Sequence, residues 1–391
     1  MSFAAILSAT RPASDSPGQL RASLQFAGQT LVEYQARQAA RAGASRVMIL
    51  VNLITPELSQ AVDRLNADGV AVTLLRDMVS MIRTAPRDED ALLFGDGAVV
   101  AQSWVETIAT TDGNALLVTD DSRASAPFDR IDAGQRWGGL VRVTPALLFG
   151  TLDMVGDWDL SLTLVRGAVQ QGARRVTVPQ DDLLEGRVSL VEGQAQADLA
   201  AQAAMAAAPR GPSGAGGLEQ LALRPAARRL APPLMRMQVQ ALHVRIGSQV
   251  LGAIALLPIE LEWPSAGFAL LLLALLLGEV ADRLDEIALR APPGGIIGFV
   301  TPMVALAGIA LAGGTMLALY AALLLAVLLV AARRGRVGKL PGWQIATPGS
   351  ALLPMLAATL AGQLPLGVDV VMLMAIASVA VIFLRRPGKS V

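Results

Sequence analysis

Phe3-Ala4-Ala5-Ile6-Leu7 runs straight into Ser8-Ala9-Thr10-Arg11-Pro12-Ala13-Ser14-Asp15-Ser16-Pro17-Gly18, an unbroken apolar run that ends in a loop of small and polar residues. Such a run, without polar alternation, reads as a strand buried on both faces. Working outward, the pattern returns at Val47–Val51, Val70–Leu75, Ala91–Phe94 and Ala115–Val118, with helical patterns between them at Leu31–Ala42, Pro56–Asn66 and Ala101–Ala109. Further strands are expected at Gly138–Val143 and Arg175–Val178. Strand and helix alternating at this spacing predict a mostly parallel, three-layer, Rossmann-like α/β sheet.

The chain of 391 residues is 53% hydrophobic and 16% charged, with a mean hydropathy of +0.51. Those values exclude a disordered polyelectrolyte and favour a soluble part joined to a membrane part. Lys+Arg and Asp+Glu each number 32, for a formal charge of +0, so there is no bulk electrostatic case for nucleic acid. The absence of cysteine excludes disulfides, thiolate nucleophiles and Cys-ligated metals, and one histidine, His243, cannot build a His-rich centre. Chemistry then falls on carboxylates, hydroxyls and Lys/Arg, with oxygen-preferring Mg²⁺ the expected ion.

Met1–Leu7 is apolar but lacks a basic leader, so no signal peptide is expected and the N-terminal part should stay in the cytoplasm. The α/β domain is assigned to residues 1–190, followed over 191–217 by a helix-favouring stretch, Gln194–Ala208, and a Pro/Gly-rich linker, Pro209–Gly217. Residues 218–245 carry Arg224, Arg228, Arg229, Arg236 and Arg245 among Leu, Met and Val. They read either as a basic amphipathic helix at a membrane surface or as a solvated helix on the soluble domain.

Residues 246–391 contain six apolar spans, at about 247–262, 265–281, 295–312, 314–332, 348–364 and 368–385. Arg333, Arg334, Arg336 and Lys339 follow the fourth and Arg385, Arg386 and Lys389 the sixth, whereas Glu260, Glu262 and Asp369 are assigned to the opposite loops. The positive-inside rule then puts both termini in the cytoplasm.

In the first half, Ala4-Ala5-Ile6-Leu7, Leu24-Gln25-Phe26-Ala27-Gly28-Gln29-Thr30-Leu31-Val32-Glu33-Tyr34-Gln35 and Ala42-Gly43-Ala44-Ser45-Arg46-Val47 resemble the nucleotidyltransferases of the sugar-nucleotide and inositol-phosphate cytidylyltransferase type, with a GT-A-like fold. The resemblance implies a phosphate-wrapping loop after the first strand, here carrying Arg11 and, further on, Arg21. The loop lacks the family's paired glycines, and Arg21 or Ser23 stands near the family's lysine. The resemblance also implies a strand-end Asp that holds Mg²⁺. Leu92-Leu93-Phe94-Gly95-Asp96-Gly97 fits it, and an ordinary Asp-Gly turn is the alternative. Arg130, Asp132 and Arg136, in Phe128–Gly139, could line the pocket and meet a phosphate, or form a surface loop with a structural Trp.

In the second half, a basic helix followed by six spans is similar to the CDP-alcohol phosphotransferases. Their motif carries metal-binding aspartates and an arginine. At the end of the second span this chain reads Gly278-Glu279-Val280-Ala281-Asp282-Arg283-Leu284-Asp285-Glu286-Ile287-Ala288-Leu289-Arg290, and Ala291–Leu306 contains no carboxylate. Asp282, Asp285 and Glu286, spaced i, i+3 and i+4, share a helix face with Glu279. They could hold Mg²⁺ while Arg290 meets a lipid phosphate, or they could pair with Arg283, Arg290 and the arginine-rich helix.

The two resemblances imply transfer of a phospho-alcohol from a CDP-activated donor, in membrane-lipid headgroup synthesis at the cytoplasmic leaflet. CTP or a CDP-alcohol and a membrane lipid are the implied partners, with a homodimer formed through the membrane domain. Asp282, Asp285, Glu286 and Arg290 are the implied catalytic set, Arg11, Arg21, Asp96, Arg130 and Asp132 the nucleotide set, and Asp96, Asp282 and Asp285 the metal ligands. The alternative is a catalytically inactive scaffold that keeps both folds and holds an active lipid-synthesis partner.

Overall fold

The computed structural model describes residues 2–16, 18–152, 159–207, 219–237, 239–290, 296–333 and 345–384. It divides into two compact units: Met1–Ala208 with Ile287–Arg290, and Pro209–Glu286 with Ala291–Val391.

In the first unit the strands are β1 (Phe3–Ala9), β2 (Gln25–Phe26), β3 (Gln29–Thr30), β4 (Ala44–Val51), β5 (Val72–Leu75), β6 (Asp90–Phe94), β7 (Ala98–Val100), β8 (Ala115–Asp120), β9 (Gln135–Val143), β10 (Arg174–Thr177) and β11 (Val188–Leu190). The helices are α1 (Leu31–Arg41), α2 (Pro56–Ala67), α3 (Met78–Thr84), α4 (Gln102–Thr110), α5 (Pro145–Leu152), α6 (Leu160–Gln170), α7 (Gln180–Leu184) and α8 (Gln194–Ala207). Seven strands form one sheet in the order β10-β8-β9-β6-β1-β4-β5. All its neighbours are parallel except β9, which runs antiparallel between β6 and β8.

The three layers follow from the apolar runs. Phe3, Ala5 and Leu7 of β1 join one buried cluster with Val32 and Ala36 of α1 and Leu58 of α2, and Ala4 and Ile6 join the opposite cluster with Leu148 of α5 and Leu164 of α6. A strand covered on both faces has no use for polar alternation, and each large aliphatic side chain fully buried contributes about 1.5–3 kcal/mol.

α1 begins at a capping box: Thr30 is the N-cap, and Glu33 accepts from the Thr30 backbone N–H at 2.9 Å. Glu33 is fully buried and also takes Arg64 of α2 in a bidentate pair at 2.9 and 2.8 Å. Two small pairings complete the unit, β2 with β3 and β7 with β11. The second draws residues 188–191 beside the end of β6, where Val191 donates its backbone N–H to the Gly97 carbonyl at 2.8 Å.

The second unit is helical. A π-helical turn, Glu219–Leu223, leads into α9 (Arg224–Arg236), followed by α10 (Ala241–Ile254), α11 (Leu256–Glu260), α12 (Pro264–Ile287), α13 (Val300–Gly313), α14 (Met316–Arg333), α15 (Pro348–Leu360) and α16 (Leu364–Leu384). Three stretches, Ala241–Glu260, Pro264–Ile287 and Leu364–Leu384, are helices long and apolar enough to cross a membrane. Ile297–Gly313, Met316–Ala332 and Pro348–Leu360 are shorter apolar helices. A helix of 13 residues, the length of α15, reaches only about 20 Å.

Two expectations are corrected here. The basic segment is not one helix over 218–245: α9 ends at Arg236 and a new helix starts at Ala241 behind the N-cap Gln240. His243 and Arg245 therefore belong to the first long apolar helix. Asp369 lies within α16 and not in a loop, because that helix starts at Leu364, after a turn closed by Gly362 at φ +68°.

Candidate functional site

Parallel pairing of β1 with β6 places Leu7 opposite Phe94, so the loops leaving both carboxyl ends emerge side by side. Ligands in open α/β sheets bind at such an edge. The β6 loop is Gly95-Asp96-Gly97. Gly97 takes φ +82°, and a Cβ there would stand 2.3 Å from the Val191 carbonyl oxygen, so only glycine serves. The turn directs Asp96 across to the β1 loop, where its Oδ2 accepts the backbone N–H groups of Thr10 at 2.8 Å and Arg11 at 2.7 Å.

Asp96 is only 6% exposed, and its Oδ1 is buried with no hydrogen-bond partner among the described residues. Burial pushes its carboxyl up to about 6, against the opposing pull of the two backbone N–H groups and of the Arg21 and Arg11 charges. Around it a small cleft is lined by Ser8, Arg11, Phe128, Asp129, Trp137, Asp159 and Ser161, among others. The indole of Trp137 is fixed by donating Nε1–H to the Leu140 carbonyl at 2.9 Å, and it packs where a Gly95 side chain would stand.

Both loop arginines have carboxylate partners. Arg11 Nη2 meets Asp159 Oδ2 at 3.0 Å, and Arg21 Nη2 meets Glu192 Oε1 at 2.9 Å. Arg21 Nη1 is nevertheless buried with no hydrogen-bond partner among the described residues. The segment after β11 straps the same loop: Ser14 donates its backbone N–H to the Glu192 carbonyl at 2.7 Å, and Gln194 donates its own to Asp15 Oδ2 at 2.6 Å.

The fold thus brings Arg11, Arg21 and Asp96 together and leaves Arg130 and Asp132 outside the cleft. Arg130 pairs with Asp121, which also takes Arg136 Nε at 2.6 Å. Asp132 accepts the backbone N–H groups of Gly134 and Gln135 at 3.0 and 2.9 Å and meets Arg175 at 2.6 Å. Phe128 and Asp129, a few residues earlier, face the cleft instead. Asp159 and Glu192 escaped the sequence reading. The only local signal was Asp159 before an apolar helix, as the N-cap of α6.

In the helical unit, Arg245 meets Asp285 at 2.9 Å and Asp282 at 2.6 Å, and Arg245 and Asp285 are both buried. Glu286 pairs with Arg283 at 2.5 Å, and Glu279 with Arg224 at 3.4 Å. The whole acidic face of α12 is therefore matched by arginines, two of them from the 218–245 stretch. Arg290 follows the end of α12, just after Leu289 at φ +56°. Glu219 binds the start of α15, accepting the Thr347 hydroxyl and the Gly349 backbone N–H, the latter at 2.8 Å.

For Mg²⁺ the two units differ. Asp96 offers one buried oxygen without a partner among the described residues, which suits an ion carried in on phosphate oxygens and completed by water. Asp282 and Asp285 are already neutralised by Arg245 and do not fit. Among the described residues no group of three carboxylate or histidine side chains could hold a metal ion.

No protein-family model matches the chain, and no curated protein matches it. Among solved structures it is similar to a UDP-glucose pyrophosphorylase complexed with UDP-glucose, at 9% identity over 44% of this chain and 88% of that one, with a TM-score of 0.34. It is also similar to the inositol-1-phosphate CTP transferase from T. maritima, at 15% identity over 52% of this chain and 96% of that one, with a TM-score of 0.38.

Proposed function

We propose that the first unit binds the phosphates of a nucleotide or nucleotide-activated alcohol, with Mg²⁺, at the cleft beside Asp96. The protein as a whole then serves membrane-lipid headgroup synthesis at the cytoplasmic leaflet, as a divergent CDP-alcohol phosphotransferase fused to a nucleotidyltransferase-like domain. The carrying observation is a pair of buried atoms of opposite charge, Asp96 Oδ1 and Arg21 Nη1, neither with a hydrogen-bond partner among the described residues. A buried polar atom left unpaired costs about 1–3 kcal/mol, and a metal-bound phosphate would satisfy both signs at once.

In this reading Asp96 Oδ1 holds the ion and Arg21 and Arg11 face phosphate oxygens. The ion supplies neutralisation of the phosphate charge. Trp137 and Phe128 supply apolar walls, and the Thr10 and Arg11 N–H groups keep Asp96 aimed. The three long apolar helices support a membrane location, and the basic loops support cytoplasmic termini.

A second reading, the inactive scaffold, is favoured by one specific observation. The arginines of the loop and the aspartates of α12 are all paired within the chain. Calorimetric titration of the full-length protein with CTP, a CDP-alcohol and Mg²⁺ separates the two. Metal-dependent binding abolished by Asp96→Asn supports the nucleotide site, and an effect of Asp285→Asn would extend it to the helical unit. No binding at millimolar ligand overturns the first reading in favour of the scaffold.

A further inference from the structure

The loop after β1 carries two arginines, and each is held by a carboxylate from a distant part of the chain. Asp159 lies 148 residues from Arg11, and Glu192 lies 171 from Arg21. In neither case is the oxygen that meets the arginine needed for local structure. Asp159 caps α6 through its other oxygen, Oδ1, which accepts the Ser161 N–H at 2.9 Å, so Oδ2 is available to Arg11. Glu192 supports the strap through its backbone, by accepting from Ser14 and by donating to Gln196 Oε1 at 2.7 Å. Among the described residues its side chain is committed only to Arg21.

Both pairs are open to solvent on the carboxylate side, with Asp159 37% and Glu192 40% exposed, while Arg21 is only 14% exposed. Such half-exposed pairs are weak and exchangeable. A carboxylate and a phosphate oxygen offer a guanidinium the same acceptor geometry. The unsatisfied Nη1 of Arg21 shows that Glu192 meets the needs of this cation only in part.

From this geometry we propose that Asp159 and Glu192 are built-in occupants of a polyphosphate site, holding Arg11 and Arg21 until a di- or triphosphate displaces them. The inference rests on the reading of the Asp96 cleft as a phosphate site and adds its regulation. It also explains a loop that binds phosphate without paired glycines: the arginine side chains, and not close backbone approach, make the contact, and their own carboxylates set the threshold.

The test is titration of the full-length protein in detergent with inorganic pyrophosphate and with CTP, each with and without Mg²⁺. Three variants are compared with the parent: Asp159→Asn, Glu192→Gln and the double variant. Asn caps a helix as well as Asp, and Glu192→Gln keeps every backbone bond, so all three should fold; thermal unfolding checks this. Pyrophosphate and CTP are expected to bind about threefold more tightly in each single variant and about tenfold in the double variant. The Glu185→Gln control removes an equal charge from the exposed pair with Arg187 and should leave affinity unchanged.

Unchanged or weaker binding in the folded double variant would overturn the inference, as would an equal gain in the control, and so would absence of binding to every form. The underlying reading fails separately. If the double variant gains affinity but Asp96→Asn leaves Mg²⁺-dependent binding intact, self-occupancy stands and the Asp96 assignment falls. If the parent binds CTP through Asp96 and the double variant gains nothing, the reverse holds.

Discussion

Arg11 donates its backbone N–H to Asp96 at 2.7 Å while its guanidinium reaches the other way to Asp159. One residue thus ties the buried carboxylate of β6 to the loop of β1 and to the start of α6. Whatever changes the charge of Asp96 is felt by the loop.

Burial, opposed by the N–H groups of Arg11 and Thr10 and by the two arginine charges, leaves the Asp96 pKa at about 6, above the ordinary 3.8. For a carboxyl raised on folding, the favourable contribution is complete below about pH 4 and lost as pH rises through about 6. The loss totals roughly 3 kcal/mol. Asp96→Asn should therefore gain stability over the parent at pH 8 and gain little at pH 4.5. Thermal unfolding of EDTA-treated protein at both values checks it, and equal offsets would refute a buried ionised Asp96.

Gly97→Ala should destabilise the first unit by more than about 2 kcal/mol, since it combines a left-handed backbone with a clash against the Val191 carbonyl. Backbone cannot give way as a side chain can. The pairing of β7 with β11 should loosen with it, read as faster amide exchange at Val188 and Val191. Unchanged exchange would show that the strap does not depend on this turn.

Glu33 is the pivot of a buried network. Burial opposes its ionisation, but the Arg64 pair and the Thr30 N–H and hydroxyl outweigh it, and its pKa lies below the usual carboxylate value. Stability from a lowered carboxyl is present at neutral pH and is lost as pH falls through the lowered value. Glu33→Gln should cost about 3 kcal/mol at pH 7, because it removes the buried carboxylate that takes Arg64 in a bidentate pair, and less in acid. Urea unfolding at two pH values measures both, and a cost below about half a kcal/mol at pH 7 contradicts the network's role.

Arg245→Ala should remove the guanidinium that meets both Asp282 and the buried Asp285 and destabilise the helical unit by about 3 kcal/mol. Arg245→Ala with Asp285→Ala should recover part of that loss, because the two substitutions remove both sides of one ion pair. Thermal unfolding in detergent reads the cycle. Simple additivity of the two substitutions would mean the pair is not coupled.

Much of the first unit was legible because strands covered on both faces leave unbroken apolar runs. β1, β4, β6 and β8 were read within a few residues of their observed bounds. The insertion of antiparallel β9 between β6 and β8 was not legible, since strand order is a long-range property with no local signature. α5 was missed because its apolar residues run all round and leave little periodic contrast, whereas α6, as amphipathic as α4, went unread. In the loop 128–139, neighbouring aspartates look alike in sequence, yet the turn made by Asp132 with Gly134 and Gln135 sends it outward and leaves Asp129 to the cleft.

Asp96, Arg11 and Arg21 stood out in the sequence only through the resemblance to nucleotidyltransferases, whose strand-end aspartate and cationic loop they match in position. Their partners required the folded chain. Asp159 and Glu192 reach the loop only through the packing of α6 and the pairing of β7 with β11, and Arg245 reaches Asp282 and Asp285 only across two helices. An ion pair is set by distance in space, and residues 37 to 171 positions apart in sequence acquire that distance only when the chain folds.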